Sequence, residues 1–218
     1  MTRAIIFDFD LTLADSTKGI IECVNFALER LNLPRADDER IKRTIGMSLE
    51  DTFLNLTGQI EKQNVSLFIS NFVKRADQIM VDLTSMFASV PATTERLIEM
   101  GFALGIVSTK FRYRIEEILA REELSDRFGV IIGGEDVADQ KPHPRGLTMA
   151  VARMQMDAND VLYVGDSTID ALTAERAKVP FIAVLSGATS KSEFDEVAKV
   201  AVIDDISALP RLLRGKAA

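Results

Sequence analysis

The sequence predicts an α/β protein: a doubly wound, mostly parallel sheet carrying an inserted all-α helical bundle. Two observations lead there. Six short apolar runs are continuous rather than alternating, the pattern of parallel strands covered on both faces. Between the first run and the second lies a long stretch, 16–83, with helical periodicity and no strand-like run. In chain order, AIIF (4–7) is the first strand and runs straight into Asp8. Helices are expected at 20–31, 38–45, 49–56 and 65–79, where apolar residues recur three and four apart and Pro34, Gly46 and Gly58 supply the breaks. A helix at 93–100 precedes the strand ALGIV (103–107), and a helix at 115–124 follows it. Then come VII (130–132), a helix at 147–154, VLYV (161–164), a helix at 171–177, FIAVL (181–185) and VAVI (200–203). Strand–helix alternation implies right-handed crossovers within one sheet. Four helices in a row imply a separate cap, so the expected division is a core of residues 1–15 and 84–218 with a cap of residues 16–83.

Composition narrows the function. The 218 residues are 47% apolar and 27% charged, enough for one large core plus a smaller accessory unit. No apolar stretch reaches the ~18 residues of a membrane span, and carboxylates interrupt the first apolar run too early for a leader peptide. Cys23 is the sole cysteine, which rules out an internal disulfide and fits a reducing compartment such as the cytoplasm. At helical spacing from Val24 and Ala27, Cys23 reads as a small core residue. One cysteine and one histidine make no zinc site. The net charge of −7 argues against a nucleic-acid partner. It also repels anionic substrates, a conflict that a divalent cation resolves.

The carboxylates concentrate at strand ends. Asp8 and Asp10 follow the first strand in Phe7-Asp8-Phe9-Asp10-Leu11-Thr12, two residues apart and therefore on one side. Two aspartates on a turn arise equally well by chance, so the pair alone decides nothing. Asp166 follows the fourth strand in Val164-Gly165-Asp166-Ser167-Thr168-Ile169-Asp170, where an aspartate could also cap the next helix, and Asp170 lies one turn further on. In a doubly wound sheet the first and fourth strands are neighbours at the reversal point, and ligands bind outside the carboxyl ends there. Asp8, Asp10 and Asp166 would meet at that crevice. Oxygen ligands of this kind suit Mg²⁺. Ser108 and Thr109, after the second strand, offer hydroxyl and amide groups for phosphate oxygens. Lys141, in a loop stiffened by Pro142 and Pro144, can reach inward to offset the negative charge. His143, between those prolines, reads as a positioning or solvent-facing residue rather than a base.

Together these segments resemble the haloacid dehalogenase-like (HAD) hydrolase superfamily, with its Rossmann-like core. The resemblance runs from Phe7-Asp8-Phe9-Asp10-Leu11-Thr12-Leu13 through Ser108 and Lys141-Pro142 to Gly165-Asp166-Ser167-Thr168-Ile169-Asp170, and the helical insert looks like the cap of the phosphoglycolate phosphatase and β-phosphoglucomutase subgroup. It implies that Asp8 is the nucleophile and forms an aspartyl-phosphate, and that Asp10 is the acid and then the base. It implies Mg²⁺ on the Asp8 carboxylate, the Asp10 carbonyl and Asp166, with Thr12 and Asp170 in support, and a phosphoryl group held by Ser108, Thr109 and Lys141. The expected partner is a small phosphorylated substrate, with the chain a monomer or homodimer and neither nucleic acid nor membrane involved. Leu11 departs from the family's glycine, and Thr109 from the asparagine frequent in phosphoglycolate phosphatases.

Other functions fare less well against the residues. A 2-haloacid dehalogenase on this fold lacks the second aspartate, so Asp10 speaks against it. The β-phosphoglucomutases carry Gly-Val-Ser-Arg in the cap, whereas this chain has Gly46-Met47-Ser48-Leu49, and leucine cannot grip a second phosphate. Pyrophosphate remains among the alternative substrates. A silent relative would have lost a motif residue, and all are present. Substrate choice is expected around Arg43, Gly46 and Ser48, with Lys42 or Arg43 as charge donors.

Overall fold

The structure, a computed structural model, describes residues 2–214. Strand β1 (Ala4–Phe7) is followed by a two-residue strand β2 (Ala14–Asp15) and then by helices α1 (Thr17–Arg30), α2 (Asp38–Lys42), α3 (Leu49–Thr57) and α4 (Lys62–Ile79). A second short strand, β3 (Ser85–Met86), leads to α5 (Val90–Glu99), β4 (Ala103–Val107) and α6 (Arg112–Arg121). The chain continues through β5 (Val130–Ile132), α7 (Arg145–Arg153), β6 (Val161–Gly165) and α8 (Thr168–Ala177). It ends in β7 (Phe181–Val184), β8 (Ala201–Ile203) and α9 (Leu209–Arg214).

The main sheet is parallel, in the order β5-β4-β1-β6-β7-β8. The expected α/β doubly wound architecture is present, with β1 and β6 adjacent at the reversal. Strand alternation explains the continuous apolar runs. Ile5, Phe7, Leu104, Ile106, Leu162 and Val164 point into one core with Leu97 of α5, Ile118 of α6 and Leu209 of α9. Ala4, Ile6, Val107, Val161 and Tyr163 point into the other with Leu147 of α7 and Ala171 and Ala174 of α8. Each face needs its own apolar set, so neither can be polar.

Helices α1–α4 enclose a third, self-contained cluster built on Cys23, Leu28, Ile41, Phe53, Phe68 and Phe72. Phe68 stands 5.0 Å from Phe53 and 6.4 Å from Phe72, centroid to centroid. Cys23 is fully buried, and burial pushes its thiol up to about 12, which suits packing rather than nucleophilic chemistry. The helix expected over 38–45 stops at Lys42. Thr44 folds back, its amide and hydroxyl both donating to the Ile41 carbonyl, and Gly46 turns the chain at φ 94°. No helix among the described residues is long and apolar enough to cross a membrane.

Candidate active site

The register of the central strands assembles the site. Phe7 lies opposite Ile106 on one side and Val164 on the other, so the residues that follow them emerge side by side at the carboxyl edge. The Asp8 amide donates to the Val164 carbonyl (2.8 Å), and the Ser108 amide to the Ile132 carbonyl (3.0 Å), extending both ladders to the site itself. Asp8, Asp166 and Asp170 are all buried, and their carboxylate oxygens lie within 4.8 Å of one another. Lys141 enters from the loop before α7, its ammonium 2.8 Å from Asp8 Oδ2 and 2.7 Å from Asp170 Oδ1. Gln140 anchors that loop by donating to the Gly134 carbonyl (3.0 Å).

The aspartates do different things. Asp170 is fully engaged: Lys141 and the Tyr163 hydroxyl (3.0 Å) reach Oδ1, while the amide and hydroxyl of Ser167 donate to Oδ2 at 3.1 and 2.6 Å. Ser167, not Asp166, caps α8, with Asp170 closing the capping box. That frees Asp166, which accepts from Thr12 on Oδ1 (3.0 Å). A methyl group at Gly187 would lie 1.9 Å from Asp166 Oδ2, so only glycine lets the chain after β7 approach so closely. Asp10 stands outside the cluster. Its Oδ1 is 3.0 Å from the Lys110 ammonium, a charge contact without the direction of a hydrogen bond, so this buried oxygen has no donor among the described residues.

Burial dominates the electrostatics. It pushes the Asp8 carboxyl up to about 7, helped by Asp170 and Asp10 and opposed by Lys141. Burial likewise holds Asp166 well above the carboxylate range, with Asp170 and Asp8 adding to it. Burial lowers the Lys141 pKa, but Asp170 and Asp8 outweigh it and keep the lysine charged above its ordinary value. Four carboxylates thus face two ammonium groups in one buried region. An oxygen-only donor set with surplus negative charge fits a hard divalent cation.

The remaining expected residues divide. The Ser108 hydroxyl accepts from the Lys110 amide at 3.3 Å, leaving its proton to donate. Thr109 instead reaches the helical insert, donating to the Gly46 carbonyl at 3.4 Å. Gly46 and Ser48 line a cleft of about 490 Å³ between sheet edge and insert, together with Asp10, Lys110 and Lys141. Ser48 spends its hydroxyl capping α3, on Asp51. Arg43 lies outside the lining, exposed and 3.8 Å from Glu193. His143 is exposed and accepts from the Arg145 amide (3.2 Å). Leu11 adopts φ 60°, the left-handed conformation that glycine takes without strain; the Ser186 hydroxyl donates to its carbonyl (2.6 Å) and burial of its side chain compensates. Lys110, Tyr163 and Gly187 escape the sequence reading; a lysine three residues past a strand end is the one signal on offer.

Comparison with known proteins gives the family. Residues 5–184 match the family model described as haloacid dehalogenase-like hydrolase. A phosphoglycolate phosphatase from Yersinia pestis is 32% identical over 193 residues, covering 85% of this chain and 82% of that protein. A haloacid dehalogenase-like hydrolase from Bacteroides fragilis superimposes with a TM-score of 0.93 at 41% identity, over 96% of this chain and 100% of that one. A hydrolase from Pseudomonas syringae, 23% identical, shares the fold with a TM-score of 0.85 over 98% of this chain and 99% of its own. By sequence match over most of its length, and by the fold that carries it, the chain belongs to the haloacid dehalogenase-like hydrolases.

Proposed function

We propose that the chain is a Mg²⁺-dependent phosphatase that hydrolyses a small phosphorylated metabolite through an aspartyl-phosphate on Asp8. One observation carries the reading: two aspartates two residues apart are given different surroundings. Asp8 sits against Lys141 in the acidic cluster, while Asp10 faces the cleft beside Lys110. In the first step an Asp8 oxygen bonds to phosphorus, the ester P–O bond breaks, and Asp10 gives its proton to the departing alcohol oxygen. In the second, Asp10 takes a proton from water, the resulting hydroxide attacks phosphorus, and the bond to Asp8 breaks to release inorganic phosphate. Ser108 and Lys141 hold the transferring oxygens. The Asp8 carboxylate, the Asp10 carbonyl and Asp166 would hold Mg²⁺, which supplies positive charge against the phosphoryl oxygens. Thr12 and Asp170 keep the carboxylates and Lys141 in place.

Residues 16–83 act as a cap that covers the cleft and selects the leaving group. Gly46, Met47 and Ser48 are at the cleft wall, and Leu49 beside them supports hydrolysis over transfer to a second phosphate. The relatives named phosphoglycolate phosphatase make phosphoglycolate the first substrate to try. Turnover of p-nitrophenyl phosphate with Mg²⁺ should be abolished by EDTA, restored by excess Mg²⁺ and absent in Asp8→Asn. Acid quenching during turnover should trap labelled phosphate on the native protein alone. Undiminished turnover by Asp8→Asn sinks the reading.

A further inference from the structure

We propose that the cleft takes an apolar leaving group, so that the preferred substrates are phosphate monoesters of alcohols carrying a hydrocarbon tail of several carbon atoms. This rests on the phosphatase reading and names the substrate class within it. The cleft of about 490 Å³ is not uniform. Asp10, Lys110 and Lys141 line it at the sheet edge, where the ester bond would break. Elsewhere its wall exposes more carbon than polar surface, with Ile20, Val24, Met47, Ile69, Phe72 and Phe111 prominent in it. The charged side chains away from the sheet edge offer little to a polar tail. Glu50, Asp51 and Asp139 are exposed to water, and Arg114 is engaged by Asp77 and the Val73 carbonyl.

Helical spacing builds the apolar wall. Ile20 and Val24 are one turn apart on α1, and Ile69 and Phe72 one turn apart on α4. Val24 and Phe72 belong to the buried cluster of the insert, whereas Ile20 and Ile69 only pack against it and stay half-buried. Met47, in the turn after α2, and Phe111, just before α6, are half-buried as well. Apolar surface left open at a cleft is covered either by a ligand or by closure of the insert onto the sheet. Two facts favour the ligand. Asp10 lines the same space, so an alcohol leaving from beside it is already among these side chains. The volume is also that of sites which enclose ligands much larger than glycolate, and such sites are mostly apolar with a few placed polar groups. A two-carbon leaving group leaves most of the wall bare.

The test is a binding series that needs no turnover. Calorimetry with Mg²⁺ present compares methyl-, propyl- and pentylphosphonate, which share the anionic head and differ only in tail length. Affinity for the native protein should rise about threefold per methylene, close to the worth of one CH₂ taken out of water. Met47→Gln, which keeps the length of the side chain, and Ile69→Thr, which keeps its branching, should each lower the pentyl-to-methyl ratio about threefold or more. Met47→Leu should keep the ratio. The ratio is taken within each protein, so any change at the phosphonate end cancels. A flat series in the native protein overturns the proposal, because the insert would then close the space itself, and that result depends on no variant folding. A ratio left intact by both polar variants also overturns it. Hydrolysis of p-nitrophenyl phosphate alongside a flat series sinks the tail subsite alone. A steep series in a protein that hydrolyses no phosphate ester instead removes the phosphatase reading and leaves the apolar subsite standing.

Discussion

The carboxyl edge of the sheet and the helical insert are built on opposite principles. At the sheet edge, Asp8, Ser108, Lys141 and Asp166 come from four distant stretches, and strand register leaves each little freedom. Polar groups there are buried with several partners apiece, as Asp170 illustrates. The insert holds itself together through its own apolar cluster and meets the rest at scattered polar points: Thr109 to Gly46, Arg43 to Glu193, and Arg114 to Asp77 at 2.5 Å. Arg114 is the buried one of these, stacked over Phe111 and Tyr113 at 5.0 and 5.1 Å, and the Tyr113 hydroxyl donates to the same Asp77 carboxylate. Bond-making chemistry needs fixed positions, whereas admission of a substrate needs a surface able to part from its neighbour.

Variants can break or sharpen that contrast. Asp8→Asn should cut kcat at least about a thousandfold while cooperative unfolding persists, because on the proposed mechanism a nucleophile is lost and no packing is. Lys141→Met strips the buried cation from Asp8 and Asp170 and should cost about 3–5 kcal/mol in urea unfolding, besides activity. Phe68→Ala empties the centre of the insert and should cost about 3 kcal/mol. Hydrogen exchange should locate that loss in α1–α4 and leave β1, β4 and β6 protected; loss of protection in the sheet would show the two regions to be one unit. Gly187→Ala pushes Asp166 aside and should weaken the proposed Mg²⁺ activation about tenfold with little change in melting temperature. Arg43→Ala removes a long, exposed ion pair and should change stability by less than about 1 kcal/mol.

How much of this could be read from the sequence depended on what each residue's position encodes. AIIF, ALGIV and VII mark β1, β4 and β5 to the residue, because strands covered on both faces have no polar position to blur their ends. Helix starts without apolar residues are harder to read than those of α2 and α3, which begin where expected: α4 begins at Lys62, not at 65, since its first turn is polar and carries no apolar periodicity. Helix α9 went unseen, six residues with Pro210 among them. Asp8 and Asp166 are legible because strand order brings their stretches together, whereas Lys141 arrives on a loop that Pro142 and Pro144 mark in the sequence. Lys110 is not legible, because nothing in its sequence surroundings shows that its ammonium ends 3.0 Å from Asp10. Tyr163 was hidden inside an apolar strand, its hydroxyl revealed only by Asp170 and the Val107 carbonyl, 3.1 Å away. Leu11 shows the converse: where the resemblance implies glycine, a leucine adopts the left-handed conformation open to glycine without strain.

The paired strands β2 and β3 set Ala14 opposite Met86 and Asp15 opposite Ser85, and just beyond them the hydroxyls of Ser16 and Thr84 lie 3.0 Å apart. Arg121 of α6 grips the carbonyls of Val81 and Thr84 on the returning thread. Two threads laced edge to edge form a ribbon, which flexes across its flat side and resists shearing within its plane. The insert's entry and exit therefore leave the sheet side by side as one double thread, and its two ends are tied to each other before they are tied to anything else.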